Sequence, residues 1–215
     1  MTALTASIAR VREINAANVL TVGRLVLAPL FVVSYALIDI WPGVVALRMA
    51  VTAIWIIFVV MELTDVLDGM VARRQGIVSD LGKILDPFAD VVCRLTYFII
   101  LTVAGVMPLW FVIIVLYREF GAVFLRLLLY REGYALGAGS AGKLKSWFYS
   151  ISAAVGLFLL TADRLPSVPL LVAESLSVVR VVAYAVYAVG AVLSVWSFAG
   201  YLRFYRARKS DGAGS

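Results

Sequence analysis

The sequence predicts an all-α integral membrane protein, with six transmembrane helices and a candidate short interfacial helix at the N-terminus. Three observations carry that prediction. Of 215 residues, 63% are hydrophobic and 15% charged, where soluble domains carry about 25% charge, and the mean hydropathy is +1.00. The apolar residues gather into six runs, each near the roughly 20 residues that a helix needs to cross a bilayer. The basic residues concentrate in alternate connections between those runs, as they do where loops stay in the cytoplasm. A soluble globule of this size could not hide so much apolar surface, so a soluble enzyme, a disordered chain and a secreted disulfide scaffold are excluded. Cys93 is the single cysteine, so no intrachain disulfide can form. The absence of histidine removes imidazole catalysis and most zinc, copper and haem sites. Any metal would need oxygen ligands, which favours magnesium, manganese or calcium. The net charge of +6 is read as basic loops on the cytoplasmic side of a membrane rather than as a nucleic-acid surface.

The elements follow in order. Residues 1–17 are too polar to span; Ile8, Val11 and Ile14 recur at a spacing that suits a helix lying in the interface. This stretch lacks the apolar core and small-residue cleavage site of a signal peptide. The spans cover about residues 18–38, 44–72, 84–104, 108–130, 142–161 and 178–205. Helix breakers separate them: Trp41-Pro42-Gly43, Met107-Pro108, the glycines from Gly133 to Gly139, and Pro166 with Pro169. With the N-terminus inside, Arg10, Arg12, Arg73, Arg74, Lys83, Arg126, Arg131, Lys143, Lys145, Arg203, Arg206, Arg208 and Lys209 are cytoplasmic, 13 of the 19 basic residues. The outer turns keep little more than Arg48 and Arg164. Both termini are therefore expected in the cytoplasm. The chain is read as one membrane domain over residues 1–209, followed by a disordered tail at 210–215. Trp41, Trp110 and Trp147 fall near span ends, as interfacial tryptophans do. Gly190 and Gly200 are expected to let the sixth helix pack closely, and Cys93 to be a small packing residue.

The acidic residues do not fit a bland membrane helix. An ionised group at membrane depth costs roughly 2.5–3.5 kcal/mol even on the lenient insertion scale. Yet Glu62, Asp65 and Asp68 stand near the cytoplasmic end of the second span, and Asp86 and Asp90 at the start of the third. Asp65 and Asp68 are three apart, Asp86 and Asp90 four apart, so each pair shares a helical face. A short loop joins the two helices, which brings both pairs to the same end. Four converging carboxylates repel one another unless a counter-charge intervenes. One or two divalent cations would supply it, and with all-oxygen ligands magnesium or manganese is favoured. The plainer alternative pairs the acids with Arg73, Arg74, Lys83 or Arg94 at the interface. Gly69, where glycine costs about 1 kcal/mol against alanine, and Ala72 keep that face small. Arg73 sets a guanidinium suited to phosphate beside the acids, and Gly82 lies one turn before Asp86.

Taken together, Asp65-x2-Asp68-Gly69-x2-Ala72-Arg73-x8-Gly82-x3-Asp86-x3-Asp90 resembles the signature of the CDP-alcohol phosphotransferase family, with eight fixed positions matched. The chain length, the six expected spans and the cytoplasmic placement of the motif are similar to that family as well. The resemblance implies that Asp65, Asp68, Asp86 and Asp90 hold a dinuclear magnesium or manganese site, with Asp90 also the general base. It implies that Asp65, Asp68, Gly69, Ala72, Arg73 and Gly82 bind the cytidine diphosphate group. The reaction implied is transfer of a phosphatidyl group from CDP-diacylglycerol to a small polar alcohol, with release of CMP, by a homodimer of the bacterial inner membrane, with its active site on the cytoplasmic side and no nucleic-acid partner.

Further stretches resemble the branch of the family that forms phosphatidylglycerophosphate: Asn18-Val-Leu-Thr21-x2-Arg24, Leu85-Asp86-Pro87-x-Ala89-Asp90, Arg118-Glu119, and Gly142-Lys143-x-Lys145-Ser146. On that likeness Arg24, Arg118, Lys143 and Lys145 are candidate ligands of a glycerol 3-phosphate acceptor. Arg118 and Glu119 are adjacent on a helix, about 100° apart, and need not pair. The chain departs from the branch at Val91, where lysine is common, and at Asp80, where a basic residue is frequent. Both changes remove positive charge, which keeps serine, an inositol phosphate and phosphatidylglycerol open as acceptors, and CDP-choline or CDP-ethanolamine as donors. A divalent-cation transporter is the alternative of another class.

Overall fold

The computed structural model of the chain describes residues 16–41, 43–75, 80–131, 140–165 and 170–212. They form six helices, with no strand among the described residues: α1 (Ala16–Ile40), α2 (Val44–Gln75), α3 (Asp80–Val103), α4 (Leu109–Arg131), α5 (Ser140–Arg164) and α6 (Leu170–Gly212). Each coincides with one expected span. The main difference is α6, which begins two turns before the expected start and runs through Gly212, so residues 210–212 are helical. The candidate interfacial helix lies outside the described residues, apart from its last two positions, which already belong to α1.

Among the described residues, four stretches are long and apolar enough to cross a membrane: Val19–Ile40, Val44–Leu67, Leu144–Arg164 and Ser175–Ala207. The two helices outside that set are the ones with charge in their middle. Helix α3 carries Asp86, Asp90 and Arg94, and α4 carries Arg118, Glu119 and Arg126.

Two turns owe their geometry to glycine. Gly43 has φ 125° and accepts from Leu47 N–H at 3.0 Å as α2 begins. Gly105 has φ 77° and closes α3. Its N–H donates to Thr102 O at 2.9 Å, and Val106 N–H donates to Leu101 O at 3.0 Å. These are the paired bonds of a Schellman ending, in which a residue without Cβ takes the left-handed position.

The chain divides into two compact units, residues 1–96 and 97–215. In the first, α1 packs along α2; in the second, α6 packs against both α4 and α5. The buried residues recur alternately three and four apart. On α1 they are Thr21, Arg24, Ala28, Phe31, Tyr35 and Ile38; on α4, Phe111, Val115, Arg118, Ala122, Leu125 and Leu129. On α6 the series runs Ala183, Tyr187, Gly190, Ser194, Ser197 and Tyr201. This is the seam spacing of helices that cross at a shallow angle. The outward faces are apolar instead, with Val22, Val26, Val33, Ile56, Val59, Val192 and Val195 all exposed. Trp41, Trp110 and Trp147 are exposed too, as interfacial residues should be.

Lipid tails are as apolar as leucine, so helix association in a bilayer rests on close packing and inward polar contacts rather than on hydrophobic burial. Small residues accordingly mark the tight contacts of the second unit. A Cβ on Gly121 would lie 2.8 Å from the Phe198 ring, and one on Gly156 would lie 2.7 Å from Leu101 Cδ1 and 3.2 Å from Tyr187 Oη. Gly190 faces Phe111 and Ser152, as expected of a packing glycine, whereas Gly200 has nothing within 4 Å and serves no contact. Phe98, Phe111, Tyr149 and Tyr187 fill the same region, with the Phe98 and Phe111 rings edge to face at 5.2 Å.

Leu101 and Tyr187 are fully buried, so neither can yield to a larger side chain. Gly156→Val is expected to lower stability by about 1–3 kcal/mol, seen as a fall in the unfolding midpoint in detergent. Gly200→Ala should leave that midpoint unchanged or slightly raised, since alanine is the better helix former.

Candidate active site

In the first unit the seams that pack the helices turn polar at one end. The α1 seam opens with Thr21 and Arg24 before Ala28 and Phe31, and the α2 seam ends in Asp65 after Ile54, Phe58 and Met61. Asp86, Asp90 and Cys93 follow one another at the same spacing near the start of α3. The first turns of α1, the last turns of α2 and the first turns of α3 thereby meet. Arg24 Nη1 donates to Asp65 Oδ1, and to Asp90 Oδ1 at 2.8 Å. Thr21 Oγ1 donates to Asp86 Oδ1 at 2.7 Å. Arg94 Nη2 stands 3.8 Å from Oδ2 of both Asp65 and Asp90. Cys93 Sγ donates to the Arg24 carbonyl at 3.6 Å. The Arg24 side chain is 2% exposed, but those of Asp65 and Asp90 are 34% and 30% exposed. The arginine therefore lies beneath the carboxylates, which remain open to a ligand.

Asp65 and Asp90 thus meet at one arginine from two helices, while Asp86 bonds to Thr21 on the same α1 face. Arg94 is one of the partners anticipated for the acids. Arg24, expected among acceptor ligands, sits with the carboxylates instead, and Thr21 joins it. Both could have been found from their three-residue spacing, which puts them on one face of α1. Asp68, Gly69, Ala72, Arg73, Gly82 and Lys143 lie outside the residues whose side chains are described. Among the described residues no group of three or more acidic or cysteine side chains is set to hold a metal. The donors themselves fit a hard cation: they are all carboxylate oxygens, and two of them already converge on one positive group.

The second unit holds a separate buried charge cluster. Arg118 Nη1 donates to both Glu119 oxygens at 3.0 Å, and Lys145 Nζ donates to Glu119 Oε1. Arg118 Nη2 donates to Ser197 Oγ at 2.8 Å. The Arg118 and Arg126 guanidinium carbons stand 5.5 and 5.4 Å from the Tyr201 ring centre, and Arg126 Nη2 also donates to the Tyr201 hydroxyl at 2.7 Å. Lys145 Nζ lies 4.8 Å from the Tyr149 ring centre, and the Tyr149 hydroxyl donates to Ser194 at 2.7 Å. Arg118, Glu119 and Lys145 are all buried. The expectation that Arg118 and Glu119 need not pair is corrected: a three-carbon arginine stem reaches round the 100° offset, and burial makes the pairing compulsory. Two cations, Arg118 and Lys145, meet the Glu119 carboxylate, Arg126 stands beside them on Tyr201, and the buried Nε atoms of Arg118 and Arg126 have no hydrogen-bond partner. Such a cluster carries surplus positive charge in a desolvated place and can receive an anion. Arg126, Ser197 and Tyr201 were missed as members, although all three lie on or beside the α4 and α6 seams.

A family model described as CDP-alcohol phosphatidyltransferase matches residues 14–196. A CDP-diacylglycerol–glycerol-3-phosphate 3-phosphatidyltransferase of Treponema pallidum is 39% identical over 150 residues, covering 70% of this chain and 68% of the relative. One of the same name from Bacillus subtilis is 34% identical over 137 residues, covering 62% and 71%. A shorter match, 39% identical over 71 residues and 33% of each chain, is to a CMP-forming cardiolipin synthase of Streptomyces coelicolor.

Removing one partner of a buried ion pair costs about 3–5 kcal/mol because the other charge is stranded. Glu119→Gln, which strands Arg118 and Lys145, is expected to destabilise the protein by about that amount in detergent unfolding. Adding Lys145→Met deletes one stranded cation and should restore part of the loss. A double variant less stable than Glu119→Gln alone would contradict the pairing.

Proposed function

The chain belongs to the CDP-alcohol phosphatidyltransferase family, and we propose that within it this protein transfers the phosphatidyl group of CDP-diacylglycerol to glycerol 3-phosphate, with release of CMP. It is a phosphatidyltransferase and an all-helical membrane protein, which displaces the cation-transporter alternative. The buried pair of Arg118 and Lys145 on the one described carboxylate of Glu119, with Arg126 beside them on Tyr201, carries the choice of acceptor. Surplus buried cations favour an acceptor that brings its own phosphate over a neutral or zwitterionic alcohol. The relatives from Treponema pallidum and Bacillus subtilis bear names that agree. Lys143 is proposed to join this acceptor site. The absence of charge at Val91 is then no obstacle, because the cluster draws its charge from α4 and α5.

Asp65, Asp68, Asp86 and Asp90 would hold two magnesium or manganese ions, with Gly69, Ala72, Arg73 and Gly82 lining the cytidine diphosphate pocket. When bound, such ions neutralise the charge of the leaving phosphate and polarise the phosphorus under attack. Asp90 is the proposed general base. It takes the proton of the acceptor hydroxyl as that oxygen bonds to the diacylglycerol-bearing phosphorus. The bond from this phosphorus to the oxygen bridging to CMP breaks, and CMP leaves with the electron pair. Arg24 and Arg94 flank Asp90 and fix its carboxylate in place. All six helices are proposed to span the bilayer of a bacterial inner membrane, with both termini and the site in the cytoplasm. The charges that set α3 and α4 apart are turned inward, so they do not oppose spanning. A homodimer is proposed as the working form.

The first test is CMP release by purified protein with CDP-diacylglycerol and magnesium or manganese, with glycerol 3-phosphate, serine, inositol phosphate or phosphatidylglycerol as acceptor. Release dependent on glycerol 3-phosphate, and lost on chelation, is expected. Release with another acceptor alone would overturn the acceptor assignment and leave the family chemistry in place. Asp90→Asn should cut turnover by about 100-fold or more while donor binding is retained, and should lower the unfolding midpoint because the buried Arg24 loses one carboxylate partner. A fully active Asp90→Asn enzyme would remove Asp90 from the role of base.

A further inference from the structure

We propose that Arg24 is a resident counter-cation of the aspartate site, a positioning residue that holds Asp65 and Asp90 together while no divalent ion is bound and that competes with such an ion for them. The inference rests on the metal reading given above. Its basis is geometric. One nitrogen, Nη1 of Arg24, bonds to Oδ1 of Asp65 on α2 and to Oδ1 of Asp90 on α3. It therefore fills the place between the two carboxylates where a bridging cation would sit. It reaches that place from beneath, on a side chain 2% exposed, anchored in the α1 seam between Thr21 and Ala28. Thr21, one turn earlier, holds Asp86, so α1 handles three carboxylates of the motif from a single face. With Arg94 at 3.8 Å from the outer oxygens of the same two acids, the Asp65–Asp90 pair is already neutralised.

Two consequences follow from Coulomb's law at short range. The carboxylates do not drive the helices apart when metal is absent, so the fold stands without metal. A dication arriving at the site meets two carboxylates already paired with a guanidinium instead of two bare negative charges, and its affinity is held down. Removing the guanidinium reverses both effects. Loss of a merely structural arginine would do the opposite to metal affinity, because disordered ligands bind metal less well.

The experiment measures Mn2+ binding to intact protein in detergent by electron paramagnetic resonance, without substrate, together with unfolding midpoints in chelator and in Mn2+. For Arg24→Gln the midpoint in chelator should fall, Mn2+ should bind at least tenfold more tightly than to wild type, and the midpoint gain on adding Mn2+ should be larger. Arg24→Lys, which retains the charge, should bind Mn2+ within about threefold of wild type, because a resident cation still faces the two carboxylates. Unchanged or weaker binding in Arg24→Gln would overturn the proposal while leaving the metal site standing. Absence of Mn2+ binding in both proteins would instead remove the metal reading itself. The wild type supplies an independent check if the variant is too unstable to purify. Titrating Mg2+ into protein labelled with 15N-arginine should shift the Arg24 guanidinium resonances. Resonances unmoved at saturating Mg2+ would also overturn the proposal.

Discussion

One buried guanidinium ties the first unit together. Arg24 enters from α1 and bonds to a carboxylate of α2 and a carboxylate of α3 at a single nitrogen. No apolar contact could do this work in a bilayer, where lipid competes equally for every leucine. An ion pair pointing inward has no such competitor, because the alternative is a charge facing hydrocarbon. The same two bonds that fasten the helices also bring Asp65 and Asp90 of the motif to one place. Holding the helices and building the site are, here, one interaction.

The second unit follows the same rule with different residues. Its seams alternate apolar side chains with Arg118, Lys145, Ser194, Ser197 and Tyr201, and each of these finds a partner across the packed helices. Glycines at 121, 156 and 190 admit Phe198, Leu101, Tyr187 and Phe111, so the backbones come close enough for short polar side chains to meet. Polar groups and small residues therefore support one another. The glycines allow the approach, and the hydrogen bonds give it a fixed register. Burial keeps the charges of Arg118 and Lys145 out of water, so each depends on the partners that the seams supply.

Much of this was legible beforehand because its causes are local. A run of twenty apolar residues ended by Trp41-Pro42-Gly43 or Met107-Pro108 is a helix and a break whatever surrounds it. Asp65, Asp68, Asp86 and Asp90 announced themselves because a membrane helix tolerates such residues only for a reason. Partnerships were harder to read. Arg24 was placed with the acceptor ligands on the likeness of Asn18-Val-Leu-Thr21-x2-Arg24 to a branch pattern; its spacing from Thr21 marks a shared face, but no periodicity connects it with Asp65, 41 residues away, or Asp90, 66 away. Arg118 and Glu119 were judged by backbone direction, and the length of the arginine stem decided otherwise. Gly190 and Gly200 look alike in sequence, yet only Gly190 meets a neighbouring helix. Arg126 was read only as a cytoplasmic basic residue and Tyr201 was not singled out; their contact depends on α4 and α6 lying side by side.

By itself the amino-acid sequence determined the six helices, their breaks, the inward acidic residues and the family signature, because each rests on composition or on spacing within a turn or two of helix. Tertiary structure alone decided which cation faces which carboxylate. That choice depends on the register of three helices against one another, and register is set by how their seams interdigitate rather than by any one segment. It is why Arg24 belongs to the aspartates while Arg118 and Lys145 share Glu119, although all three are basic residues set in apolar helices.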